Sequence, residues 1–240
     1  MRNGRFTSSE IVALTTNGKA KDTFGKPALT YIKQKKWERN LGRSIDNETF
    51  SRPLAWGKLC EIFVLQHMGL IECTPLMDEP KQHPTIEYWA GSPDAINNDL
   101  DAVVELKCPQ TLASFCGLVE PIINGLSGIE AINYIRDNHN DGEKYYWQIV
   151  SNAIITGKSK GELIIFCPYQ SQLDELRMLA QNMPSDVLSH YYWIANSMDN
   201  ELPYLLDGGK YQNLNRIIFD VPADDIAFLT DRVLKVGELL

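Results

Sequence analysis

The sequence lacks any apolar run of the roughly 20 residues that a membrane-spanning helix needs, and its polar start, Met1 to Thr7, lacks the layout of a secretory leader. A membrane protein is set aside and a cytoplasmic one is expected. The five cysteines, Cys60, Cys73, Cys108, Cys116 and Cys167, lack C-x-x-C spacing and are odd in number. That is the pattern of reduced thiols, not of a zinc site or a disulfide framework. An excess of positive charge is also missing: the formal net charge is −8, which argues against a protein that coats a polyanion with its whole surface. A local basic groove remains compatible, because nine Lys and Arg residues fall between Lys19 and Arg52. A solvated helix face accounts for them equally well. Repeats, low-complexity tracts and clear linkers are absent, so one domain over residues 1–240 is expected, long enough to bury a sizeable core.

What is present centres on Ser92-Pro93-Asp94, followed by Asp101-Ala-Val-Val-Glu105-Leu106-Lys107-Cys108-Pro109. The period-2 pattern from Ala102 to Lys107 predicts a strand that carries Val103, Glu105 and Lys107 on one face and Val104 and Leu106 on the other. Asn97-Asn98-Asp99 supplies turn chemistry, so Asp94 can stand on a preceding strand or strand end beside Glu105. Two carboxylates and an ammonium then converge, which suits a hard, oxygen-liganded Mg²⁺ with a phosphate nearby. The same spacing also occurs in chains whose acids are simply solvated. Here, however, the charges sit among aliphatic residues, where an unpaired charge is expensive.

Gly91-Ser92-Pro93-Asp94 with Glu105-Leu106-Lys107-Cys108-Pro109 resembles the PD-(D/E)xK nuclease core, and more narrowly the lambda exonuclease and YqaJ-type viral recombinase branch. Three further stretches resemble that branch in the expected order. Phe6-Thr7-Ser8-Ser9 looks like its I-T-A-S segment, which implies a 5′-phosphate role for Ser9 and for Arg2 upstream, with Arg5 the alternative forked donor. Ala55-Trp56-Gly57-Lys58-Leu59-Cys60-Glu61 is similar to its A-W-G-K-x-x-E, which brings Glu61 to the active site. Tyr145 to Gly157 is similar to Y-x-x-Q-V-Q…T-G, which assigns Gln148 and leaves Val150 where a second Gln is usual. Read without the resemblance, Ser9 caps a helix, Glu61 pairs with Lys58, and Gln148 is a surface residue.

The resemblance implies an α/β fold with a central mixed β-sheet flanked by helices. It also implies a metal-dependent exonuclease on linear double-stranded DNA, acting 5′ to 3′ in phage-type recombination, in a bacterial or phage-infected host cytoplasm. Asp94, Glu105 and the main-chain carbonyl of Leu106 would hold Mg²⁺, with Mn²⁺ able to substitute. Glu61 would serve a second metal or its water, Lys107 the water or the pentacovalent charge, and Gln148 would steady that water. Double-stranded DNA ends, a single-strand annealing protein and a homotrimeric ring are the implied partners. The alternatives are another nuclease of the same core, RecB-like or restriction-type, or an inactive DNA-end-binding module.

For the rest, Thr7-Ser8-Ser9-Glu10 predicts a helix start and residues 17–30 a loop or lid. Tyr31 to Asn40 and Arg52 to about His67 read as helices, with Pro53 at the favoured first position. Leu70–Thr74 and Thr85–Ala90 read as short strands. Residues 111–138 read as two helical pieces interrupted by Pro121, Gly125 and Gly128. A helix over Glu143–Thr156 closed by Gly157, a buried strand over Gly161–Pro168, a helix over Gln170–Gln181, a strand over Leu214–Val221 and a helix over Ala223–Leu240 complete the pattern. Tyr191-Tyr192-Trp193 could stack on bases, although such runs are more often core. Residues 171–240 carry no family motif.

Overall fold

The structure is a computed structural model that describes residues 3–20, 22–45, 50–67, 73–76 and 80–240. In chain order it runs β1 (Phe6–Thr7), α1 (Val12–Thr15), α2 (Lys26–Leu41), α3 (Arg52–Ile62), β2 (Cys73–Pro75), β3 (Lys81–Gln82), β4 (Trp89–Gly91), β5 (Ala95–Asn97) and β6 (Ala102–Lys107). It continues through α4 (Leu112–Ile123), α5 (Gly128–Asn138), α6 (Gly142–Thr156), β7 (Lys160–Phe166), α7 (Leu173–Gln181), α8 (Leu188–Asn196), β8 (Leu214–Asp220) and α9 (Ala223–Gly237).

The expected mixed sheet is a five-stranded one in the order β2-β5-β6-β7-β8. β6 is its middle strand, antiparallel to β5 and parallel to β7. A parallel pair needs a long crossover, and α4, α5 and α6 provide it. The two faces of β6 part as the alternation predicts. Val103 joins a core with α4, α5, α6 and α9, while Val104 and Leu106 join a second core with α3, α7 and α8. Residues 171–240 contribute to the same cores: β8 pairs with the whole of β7, and Leu229 and Val233 of α9 are fully buried. A second, small sheet, β1-β4-β3, brings the start of the chain beside the segment that leads to Asp94. Among the described residues no helix is long and apolar enough to cross a membrane.

Several expectations need correction. The loop expected over 17–30 ends earlier, because Gly25 caps α2 and Pro27 occupies its first turn, where a missing N–H costs nothing. Pro121 does not break α4; it lies in the last turn of that helix. The strand expected over Thr85–Ala90 begins only at Trp89, since the His83 ring accepts from the N–H groups of Thr85 and Ile86 and holds a turn there. Leu70 to Glu72, the first part of another expected strand, lie outside the described residues. α8 has no counterpart in the sequence reading, and it places Tyr191 in the core and Tyr192 on the surface.

Candidate active site

The β5–β6 hairpin fixes the first two acids. Its turn needs a left-handed residue, which Asp101 supplies at φ 53°, a conformation that Asp tolerates well. Asn97 Oδ1 accepts from the Leu100 N–H inside the turn. Asp94, just before β5, donates its N–H to the Val104 carbonyl at 3.2 Å, and its Oδ2 accepts from the Leu106 N–H at 2.6 Å. The Asp94 carboxylate is thus tied to the backbone of the strand that carries Glu105 and Lys107.

Glu105 is 2% exposed, and both of its oxygens accept hydrogen bonds. Lys107 Nζ lies 2.5 Å from its Oε1, which also accepts from Gln148 Nε2 at 2.5 Å. Asn152 Nδ2 donates to Oε2 at 3.3 Å. Gln148 Oε1 in turn accepts from Lys107 at 3.4 Å, and the ammonium lies over the Tyr145 ring, 4.7 Å from its centroid. Residues 145, 148 and 152 stand one turn apart on α6, so a single helical stripe meets one strand face.

The Asp94 carboxyl is held well above the usual carboxylate range, first by burial, then by the negative charges of Glu105 and of Glu61 on α3. Burial alone would depress Lys107, but Glu105 and then Asp94 outweigh it and raise its pKa. Lys107 therefore stays an ammonium at neutral pH. Asp94 and Glu105 thus share the Lys107 ammonium, Glu61 is near enough to raise Asp94 further, and the donors are hard oxygens throughout. Among the described residues no three His, Cys, Asp or Glu side chains form a ready cage for a metal ion. Magnesium needs none, since it is commonly held by one or two carboxylates together with waters and substrate phosphates. An ionised carboxylate has about four acceptor positions, so Asp94 and Glu105 keep capacity for a cation beside the N–H donors they hold. The donor set fits the ion.

Ser9 lines a cavity next to this cluster, in a local structure other than the expected one. The sequence predicted a helix start with a Ser or Thr cap. Instead Phe6–Thr7 pairs with β4, Ser8–Glu10 form a single 3-10 turn, Thr7 makes no side-chain cap, and α1 has four residues. Such a short helix carries little dipole, so the helix-terminus argument for phosphate fails here. What the structure has is a cavity of about 100 Å³ lined by Thr7, Ser8, Ser9, Gly91, Ser92 and Gln148, among others. Gln148 is therefore common to the acid cluster and to the cavity at Ser9. Arg2 lies outside the described residues. Asn152 is a side chain to which the sequence assigns no role: it stands one turn beyond Gln148 on a helix, and its bond to Glu105 appears only in the fold.

No protein-family model and no curated protein matches this sequence. Solved structures do. An alkaline exonuclease from Laribacter hongkongensis, LHK-Exo, is similar at 17% identity and a TM-score of 0.53, covering 99% of this chain and 90% of that one. A phage-related exonuclease from Haemophilus somnus 129PT is similar at 11% identity and a TM-score of 0.61, covering 98% and 92%. LHK-Exo in complex with dAMP matches at 16% identity and a TM-score of 0.50. The likeness runs through residues 171–240, where no motif points to it. This chain has the fold of these alkaline and phage-related exonucleases over nearly its whole length.

Proposed function

We propose that this chain is a Mg²⁺-dependent deoxyribonuclease, able to use Mn²⁺, that hydrolyses linear double-stranded DNA from its 5′ ends. The observation that carries the reading is the joining of Asp94, Glu105, Lys107 and Gln148 at the middle strand, beside a cavity that Ser9 lines. The fold shared with exonucleases supports it.

Asp94 and Glu105 would hold the ion, with the Leu106 carbonyl as a further oxygen donor and Glu61 serving a second ion or its water. When bound, the ion supplies Lewis-acid neutralisation of phosphate charge and a water of lowered pKa. Lys107, kept protonated by its two acidic neighbours, is a donor and not a general base. Its role is to stabilise the charge that develops on the phosphoryl oxygens. Gln148 sets the geometry between Glu105 and Lys107 and offers its remaining hydrogen-bonding capacity to the cavity. Ser9, with Arg2, would receive the terminal 5′-phosphate, so that cleavage begins at that end.

Digestion of linear duplex, labelled at either end, tests the reading. Mononucleotides released from the 5′ end in Mg²⁺, with none in EDTA, are expected. Release from the 3′ end alone, or cleavage unaffected by chelation, would overturn it.

A further inference from the structure

Asn152 is 1% exposed, and its Oδ1 is a buried acceptor without a hydrogen-bond partner. Such an atom is costly, and an apolar side chain of similar size would avoid the cost. The orientation of the amide follows from its neighbour: turned over, its oxygen would face the Oε2 of Glu105. The orphaned oxygen points instead at the end of β4. A Cβ built on Gly91 would lie 2.2 Å from Asn152 Oδ1 and 2.5 Å from Ser8 Oγ. The absence of a side chain at Gly91 is thus what lets α6 close on the segment that runs, three residues later, to Asp94.

The neighbouring Ser151 reinforces that closure. Its Oγ lies 2.8 Å from Ser8 Oγ and accepts from Trp89 Nε1 at 2.9 Å. One face of α6 therefore holds the cavity wall at Ser8 through Ser151, and Glu105 through Gln148 and Asn152. The two grips on Glu105 differ. Gln148 takes Oε1, shares it with Lys107 and lines the cavity. Asn152 takes Oε2 and is almost fully enclosed.

The geometry points to Asn152 as a positioning residue, the group that fixes the rotation of the Glu105 carboxylate and its spacing from the Asp94 segment, and so sets the affinity of the site for a divalent cation. The inference rests on the proposed metal-dependent function. Hydrogen-bond partners behind a ligating group commonly matter by about 10–100-fold in metal affinity.

The test is calorimetric Mn²⁺ binding to the full chain, without DNA, for wild type, Asn152→Ala and Asn152→Leu, with a thermal melt of each in EDTA. At least a tenfold weaker Mn²⁺ affinity is expected for both variants. The melting temperature of Asn152→Leu should stay close to that of wild type, because removal of the orphaned oxygen offsets loss of the bond to Glu105. Wild-type affinity in either variant would overturn the inference, as would an affinity loss accompanied by lower melting temperatures in both, which is what a packing role gives. If wild type itself shows no saturable Mn²⁺ site, the nuclease reading falls and this inference falls with it. A wild-type site whose affinity the variants leave unchanged removes this inference alone.

Discussion

Arg232 ties the last helix to the first loop, and its replacement by Met should cost about 3 kcal/mol. The guanidinium is 3% exposed and donates to three main-chain carbonyls, those of Leu14 at 2.8 Å, Thr16 at 2.6 Å and Thr23 at 3.4 Å. It also lies 3.9 Å from the Phe24 ring centroid. The three carbonyls are not equivalent. Thr16 also accepts from Gly25 N–H and Thr23 from Gly18 N–H, so both keep a partner in the variant. Leu14 has no such second donor among the described bonds and is left unsatisfied, at about 1–3 kcal/mol. Loss of two further charged bonds and of the stacking on Phe24 adds to this. Relief of guanidinium burial, which already lowers the Arg232 pKa, offsets part of it. A net of about 3 kcal/mol corresponds to roughly 6–12 °C in Tm for a chain of this size. Urea unfolding of wild type, Arg232→Met and Arg232→Lys measures it, with Lys expected in between because it presents fewer donors. Faster amide exchange confined to residues 16–25 should accompany the loss. A change below about 1 kcal/mol, with exchange in that loop unaltered, would refute the reasoning.

Three further outcomes follow from the site. Lys107→Ala should lower turnover by about a hundredfold or more, the scale of one lost charge-stabilising donor, with Mn²⁺ affinity within a few-fold of wild type by calorimetry. Ser9→Ala should flatten the rate ratio between 5′-phosphorylated and 5′-hydroxyl duplex ends while hydrolysis persists, as read from paired digestions of otherwise identical duplexes. In metal-free protein, Asp94 contributes a pH-dependent penalty. Its folded pKa is raised above the unfolded value of about 3.9, so the penalty is absent below that value and complete above the folded one. Stability in EDTA should therefore fall as pH rises through that window, and Asp94→Asn should remove this fall in pH-dependent urea melts.

The parts legible in the sequence are those where a local rule and the tertiary structure agree. The alternation over Ala102–Lys107 separates two cores in space as it does in sequence, and so it announces both the middle strand and the face that carries Glu105 and Lys107. α6 is legible from its pattern and from Gly157, which closes it at φ 69°. Of the small sheet only the end of the expected Thr85–Ala90 strand is, because strands of two or three residues hold no periodic signal. α8 opens at Val187 without a side-chain cap, and its aromatic cluster offers no clean apolar stripe. The local structure at Ser9 is not legible either: its neighbours resemble helix caps, whereas β1 pairing and a 3-10 turn set its place beside the cavity. Asn152 could be seen beside Gln148 on one helical face. Its unpaired oxygen and its approach to Gly91 arise only when β4 and α6 meet.

The central claim is that Asp94 and Glu105 hold a divalent ion on which DNA hydrolysis depends. A Mg²⁺ titration of nucleotide release from 5′-phosphorylated linear duplex, run on wild type and Asp94→Ala, tests it most directly. Metal charge stabilisation is worth several kcal/mol, so wild type should show saturable Mg²⁺ dependence, and Asp94→Ala should fall by at least about a thousandfold at every concentration while still binding the duplex. Release by Asp94→Ala at the wild-type rate in saturating Mg²⁺ would contradict the account.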